Sequence, residues 1–110
     1  MLAGSANFLF PAMMNGSVGG TVSLANSFPS MVMEWFRQGQ ARDEPRGVPL
    51  QSRVTRINQK ISGPYGPSGV KAAMNLAGLR GGIPRRPLLP LTAAQVEEMR
   101  TVLIEEGLLL

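Results

Sequence analysis

Apolar positions recur along the chain in two periods. Val18 to Ala25 reads as a short strand: Val22 and Leu24 favour extended backbone, and Gly19-Gly20 before them suits a tight turn or close packing. Met1 to Gly4 reads as the end of another strand. Between them Phe8, Leu9, Ala12 and Met13 make the apolar face of a helix that Ser5 or Asn7 can cap and Gly16 can close. Pro11 removes one amide donor inside this segment, so the helix is expected to be short or kinked.

Beyond residue 26 the period is helical. Ser27 is placed as a cap, Pro29 in the first turn, and Phe28, Met31, Val32, Trp35 and Phe36 on one heavy apolar stripe that Gly39 ends. Residues 40–49 read as a polar connection punctuated by Pro45, Gly47 and Pro49. Leu50, Val54, Ile57 and Ile61 define the next helix, with Arg53, Arg56 and Lys60 on a solvated face. "SGPYGPSG", residues 62–69, reads as a loop. A third helix follows from about Ser68 to Ala77, with Val70, Ala73, Met74 and Ala77 inward. "LRGGIPRRPLLPL", residues 79–91, cannot be helical and is expected to strap across other elements, covering Leu88, Leu89 and Leu91. Thr92 and Gln95 then form a capping box, with Leu91 and Val96 placed as a hydrophobic staple. Val96, Met99 and Leu103 continue that helix to Gly107. Glu105 and Glu106 lie at its negative end, a mild electrostatic cost.

A β–helix–β crossover joins parallel strands, and parallel sheets are buried on both faces. Two such strands alone cannot be buried in that way. The element pattern is therefore that of the end of something larger.

Composition narrows the chemistry. The 110 residues suffice for one domain, and 44% hydrophobic with 16% charged residues is a globular balance. No apolar run reaches the roughly 18 residues of a membrane span. Met1 to Met14 lacks the basic start of a signal peptide and is interrupted by Asn7 and Pro11. With no Cys and no His, structural zinc sites, disulfides, thiol nucleophiles and histidine triads are excluded. The net charge of +4 comes from scattered arginines, and no aromatic sits beside the one adjacent pair, Arg85-Arg86, which argues against a nucleic-acid partner.

Two stretches, "LAGSANFLFPAMMNGSVGGTVSLAN" and "GVKAAMNLAGLRGGIPRRPLLPLT", resemble the C-terminal part of the dihydrodipicolinate synthase / N-acetylneuraminate lyase family. The resemblance covers essentially the whole chain. It implies an α/β fold: the last two strands of a (β/α)8 TIM barrel over residues 1–39, then a three-helix extension over residues 40–110. A complete barrel takes about 250 residues, so six strands are missing. The implied parent is a pyruvate-dependent class I aldolase or lyase. A lysine at the end of strand six forms a Schiff base with a 2-oxo acid, and a tyrosine from strand five relays protons.

Neither catalytic residue has a counterpart here. Lys60, Lys71 and Tyr65 fall in the extension and not at a strand end, so no catalytic residue, metal or cofactor is assigned. Three substrate-binding positions carry over. Gly4 matches the glycine ending strand seven. Thr21 stands where the family more often has Val or Ile. Ser23 stands where sugar-acid lyases have a hydroxyl contact. Ser5, Ala6 and Asn7 replace the acids that hold sugar hydroxyls in those lyases, which argues against a sialic-acid-like substrate. The strap resembles 4-hydroxy-2-oxoglutarate and 2-keto-3-deoxy sugar-acid aldolases. The expectation is an aldolase fragment, inactive alone, from a homo-oligomeric parent acting on a 2-oxo acid to give pyruvate. It is placed in the cytoplasm, with a mitochondrial parent as the alternative, and with no membrane or nucleic-acid partner. The rival reading is a non-catalytic helical module retained for oligomer contacts.

Overall fold

The computed structural model describes all residues, Met1–Leu110. Four α-helices carry the chain: α1 (Leu9–Met14), α2 (Pro29–Gln40), α3 (Glu44–Leu76) and α4 (Ala93–Glu105), with 3-10 turns at Ala6–Phe8 and Ser23–Asn26.

The two expected strands meet as expected but are much shorter. The Ala3 amide donates to the Gly19 carbonyl, and the Thr21 amide donates to the Ala3 carbonyl, both at 2.8 Å. This is one parallel bridge, Ala3 to Gly20, with α1 as the crossover between its sides. Val22 is still extended (φ −125°, ψ 130°), but Ser23–Asn26 coils into a 3-10 turn instead of continuing a strand to Ala25. The cause is local competition. With no outer strand to pair with, the backbone takes the turn bonds within reach, Ala25 N–H to the Val22 carbonyl and Ser27 N–H to the Leu24 carbonyl, both at 3.2 Å, and the Asn26 side-chain Nδ2 donates to the Ser23 carbonyl at 3.0 Å.

The Ser5 hydroxyl accepts from the Asn7 amide at 3.2 Å, which starts the turn leading into α1. Pro11 falls in the first turn of α1, where its missing N–H is no loss, and the helix is short, at six residues. Leu9, Phe10 and Met13 are buried beneath it. Ser27 does not cap α2. Phe28 takes that position without a side-chain cap, while the Ser27 hydroxyl donates to the Val70 carbonyl of α3 at 3.3 Å. Nor does Gly39 end α2. It is the point where α2 crosses α1, and a Cβ there would lie 2.6 Å from the Met13 sulfur.

The largest departure is in residues 40–69. The expected connection at 40–49 is mostly helix, because α3 begins at Glu44. Asp43 caps it by accepting from the Arg46 amide at 3.2 Å, and Pro45 sits in the first turn, a position proline tolerates well. Gly47 is buried because Phe10 leaves no room: a Cβ there would lie 2.0 Å from the ring. The expected break at 62–69 is present, but as a sharp kink instead of a loop: the two helical halves of α3 meet at Gly66 (φ 55°, ψ −138°), between Pro64 and Pro67. The second half of α3 then passes so close to the first that a Cβ on Gly69 would lie 2.0 Å from the Ile61 carbonyl oxygen.

The strap is tied down by polar contacts. Lys71 Nζ donates to the Gly81 carbonyl at 2.9 Å, and Asn75 Oδ1 accepts from the Gly81 and Gly82 amides at 2.9 and 3.3 Å. Leu91 finds partial cover, but Leu88 and Leu89 remain exposed, against expectation. A strap held through its backbone does not need those side chains as anchors.

The Thr92–Gln95 capping box of α4 is present in both directions. Glu106 is not an uncompensated charge at the negative end. It pairs with Arg53 and Arg56 of α3 at 3.2 and 3.3 Å, and the Arg53 guanidinium also donates to the Glu106 carbonyl. Two arginines expected on a solvated face therefore secure α4. One apolar core, with Trp35, Val54, Ile57, Ile61, Ala73 and Leu103 wholly buried at its centre, draws on every helix.

Candidate functional site

The Ala3–Gly20 bridge fixes the register, setting Gly4 beside Thr21. Side chains alternate across this pair. Ala3, Val22 and Leu24 are buried under the helices, while Gly4, Thr21 and Ser23 are exposed. The structure thus brings the three sequence-predicted positions to the open side of the paired segment, opposite the helices. A Cβ on Gly4 would meet nothing within 4 Å, so no neighbour in this chain demands glycine there.

Ser23 also lines a cleft of about 440 Å³ that the sequence did not reveal. Its other wall is the α3 kink, with Ser62, Gly66, Pro67 and Val70, and Asn26 and Lys71 complete the polar lining. The prolines and glycines of residues 62–69 signalled a break in the helix. Nothing in the sequence signalled that the break would sit beside the end of the paired segment.

The three side chains considered and set aside lie as follows. Lys71 lines this cleft, although the sequence placed it away from the strand ends, and its ammonium is engaged with the Gly81 carbonyl. Lys60 is exposed, and with Tyr65 it borders a separate depression against α4 that includes Gln95 and Glu98. The Ser23 cleft contains hydroxyls, an amide and one amine but no carboxylate, so an amine there has no acid–base partner within the chain. No group of three or more His, Cys, Asp or Glu side chains is positioned to hold a metal. No helix is long and apolar enough to cross a membrane.

Comparison with known proteins supplies the frame for this geometry. The chain is 28% identical over 105 residues to a 4-hydroxy-tetrahydrodipicolinate synthase of Phocaeicola vulgatus, covering 96% of this chain and 35% of that protein. It is 33% identical over 109 residues to an uncharacterized DapA-like lyase of Halobacterium salinarum, covering 98% of this chain and 36% of that protein. The chain therefore spans about a third of the length of the curated relatives it matches.

Among solved structures, KD(P)GA from T. tenax superposes with a TM-score of 0.83 at 22% identity, over 94% of this chain and 37% of that one. A 2-keto-3-deoxygluconate aldolase of Sulfolobus sulfataricus, in complex with D-KDPG, superposes with a TM-score of 0.81 at 19% identity, over 99% and 40%. These neighbours are TIM-barrel enzymes, and at such identities they speak for the fold alone. The sequence profile of the Dihydrodipicolinate synthetase family matches residues 1–106. A match of that extent, on a chain whose paired segment and helices superpose on barrel enzymes, settles the grouping: this protein belongs to the dihydrodipicolinate synthetase family.

Proposed function

We propose that the chain is the C-terminal part of a pyruvate-dependent class I aldolase or lyase, contributing the last two barrel strands and the helical extension, and that it is inactive by itself. The carrying observation is the parallel Ala3–Gly20 bridge across α1, with Gly4 and Thr21 side by side on the uncovered face. Chemistry in barrel enzymes sits at the C-terminal ends of the strands, and Ser23 and its cleft follow directly on such an end.

In the complete enzyme a lysine from the missing portion attacks the ketone of a 2-oxo acid, and water leaves as the imine forms. The protonated imine accepts the electron pair of the breaking carbon–carbon bond as the neighbouring hydroxyl loses its proton and leaves with its carbon as an aldehyde; the resulting enamine takes up a proton, and hydrolysis then releases pyruvate and frees the amine. On this reading the present residues supply walls and not the reacting amine. Gly4 allows close approach of the substrate to the backbone, and Thr21 and Ser23 offer hydroxyls. The substrate class is 4-hydroxy-2-oxoglutarate or a 2-keto-3-deoxy sugar acid, with no added cofactor.

The reading is tested by the coding sequence upstream of Met1. A β–helix–β unit spans about 30 residues, so a lysine at the end of an apolar run is expected roughly 25–30 residues before Gly4. A tyrosine is expected about one unit earlier. Sequencing the 5′ end of the transcript and finding neither residue would strike out the enzymatic reading.

A further inference from the structure

We infer that a cavity between the second half of α3, the strap and α4 binds a small carboxylate with a short apolar tail. The cavity holds about 370 Å³, the size of a small-ligand site. All its walls come from residues 68–100, within the stretch that matches the family, so it does not depend on where the chain begins. Its polar wall is cationic. Ser68 and Lys71 stand one turn apart on α3, and Arg100 reaches in from α4. No carboxylate lines the cavity. Lys71 borders the Ser23 cleft as well, but its bond to the Gly81 carbonyl at 2.9 Å turns the ammonium under the strap. Two of its N–H groups remain for a ligand. Arg100 Nε pairs with Glu97 of the same helix at 3.2 Å, which leaves the Nη groups for a carboxylate.

Ser68 points to a ligand independently of the charges. The residue is only 7% exposed, yet its hydroxyl bonds to nothing in the chain, not even the carbonyl one turn back in the helix. A buried hydroxyl without a partner is costly. Trp35 holds the one fully sealed side-chain polar atom that lacks a partner, so the Ser68 oxygen opens into the space beneath the strap. A carboxylate held by Lys71 and Arg100 would accept its hydrogen bond there. The rest of the wall is mainly apolar, with Ile83 and Leu91 of the strap and Val96 of α4. It suits a short branched hydrocarbon and gives no grip to a second charge.

Titration of the isotope-labelled chain with isovalerate, followed by amide chemical shifts, tests this. The expected result is saturable shifts confined to the cavity, with Ser68, Lys71 and Gly82 among them. Neutral isovaleramide and tail-less acetate should each bind roughly tenfold more weakly. Ser68→Ala and Arg100→Gln should each weaken isovalerate binding by a similar factor, and neither removes a bond that holds the strap. Lys60→Gln, outside the cavity, should leave it unchanged. The same titration on T. tenax KD(P)GA carrying this chain in place of its matched stretch should shift the same residues. The inference is overturned by the absence of saturable shifts, or by equal binding of isovaleramide or acetate. Unchanged affinity in Ser68→Ala or Arg100→Gln, or an equal loss in Lys60→Gln, overturns it too. So does loss of the site in the grafted barrel, where other barrel elements would then fill the cavity.

Discussion

Two buried contacts show how single residues set this fold. Trp35 is wholly buried, yet its indole N–H has no hydrogen-bond partner. Trp35→Ala should cost about 3–5 kcal/mol as a cavity forms. Trp35→Phe should cost less than half as much, because it also removes a buried donor whose desolvation penalty is about 1–3 kcal/mol. Urea unfolding midpoints of the two variants decide this, and equal losses would show that the indole N–H is satisfied in solution. Gly47 shows the opposite constraint. Its missing side chain is where the Phe10 ring packs, so Gly47→Ala should cost about 1–3 kcal/mol by overpacking. Phe10→Leu in the same chain should recover part of that, and a double-mutant cycle with no coupling would contradict the contact.

At the scale of elements, what could be read from sequence was what is locally encoded. The capping box of α4 needs only Thr92 and Gln95 three residues apart, and the structure forms it as read. The stripes of α2 and α3 were legible for the same reason, since one period repeats over several turns. Several of the errors fell on proline and glycine. Pro45 and Gly47 look like loop residues, but one sits in a helix's first turn and the other is small because Phe10 lies against it. Residues 62–69 were read as a break between two helices, and the chain does break there, at Gly66; how closely the two halves of α3 then pack depends on the Gly69–Ile61 crossing, which no local pattern encodes. Gly63 and Gly66 separate the two roles of glycine. Gly66 holds a conformation that other residues reach at a cost of about 1–3 kcal/mol, so Gly66→Ala should lower the thermal midpoint. Gly63 lies in ordinary helix with room for a methyl group, so Gly63→Ala should be neutral or slightly stabilising. Matching losses at both sites would mean that α3 is not kinked where the structure has it.

The end of α4 is decided between elements. The Arg53 and Arg56 side chains are 36% and 61% exposed, so their pairing with Glu106 should contribute less than about 1 kcal/mol. Thr92→Ala, at the other end of the helix, should cost about 1 kcal/mol. Thermal unfolding of Glu106→Gln beside Thr92→Ala should show the cap as the larger effect. The reverse order would mean that the ion pairs are better shielded than their exposure indicates.

The whole molecule explains why the candidate site is only half legible. Gly4, Thr21 and Ser23 were placed by family resemblance, and the structure puts all three on one uncovered face, set by the Ala3–Gly20 register. The cleft beside Ser23 escaped the sequence because it forms between residues about 40 positions apart. The strands shrank to a single bridge because a parallel strand is stabilised by neighbours on both sides, and here each has only one. The chain matches its family over residues 1–106 and spans about a third of its relatives, and the proposed reading is that it supplies walls of a site whose reacting amine lies outside these residues. The most direct measurement of that claim is borohydride trapping of pyruvate, read by mass spectrometry, on two proteins. One is the 110-residue chain alone. The other is T. tenax KD(P)GA with its matched stretch replaced by this chain. The account predicts an unmodified isolated chain and a pyruvyl adduct on a lysine of the grafted barrel outside residues 1–110. A stoichiometric adduct on Lys60 or Lys71 of the isolated chain, or a cooperatively folded graft that traps nothing, would contradict it.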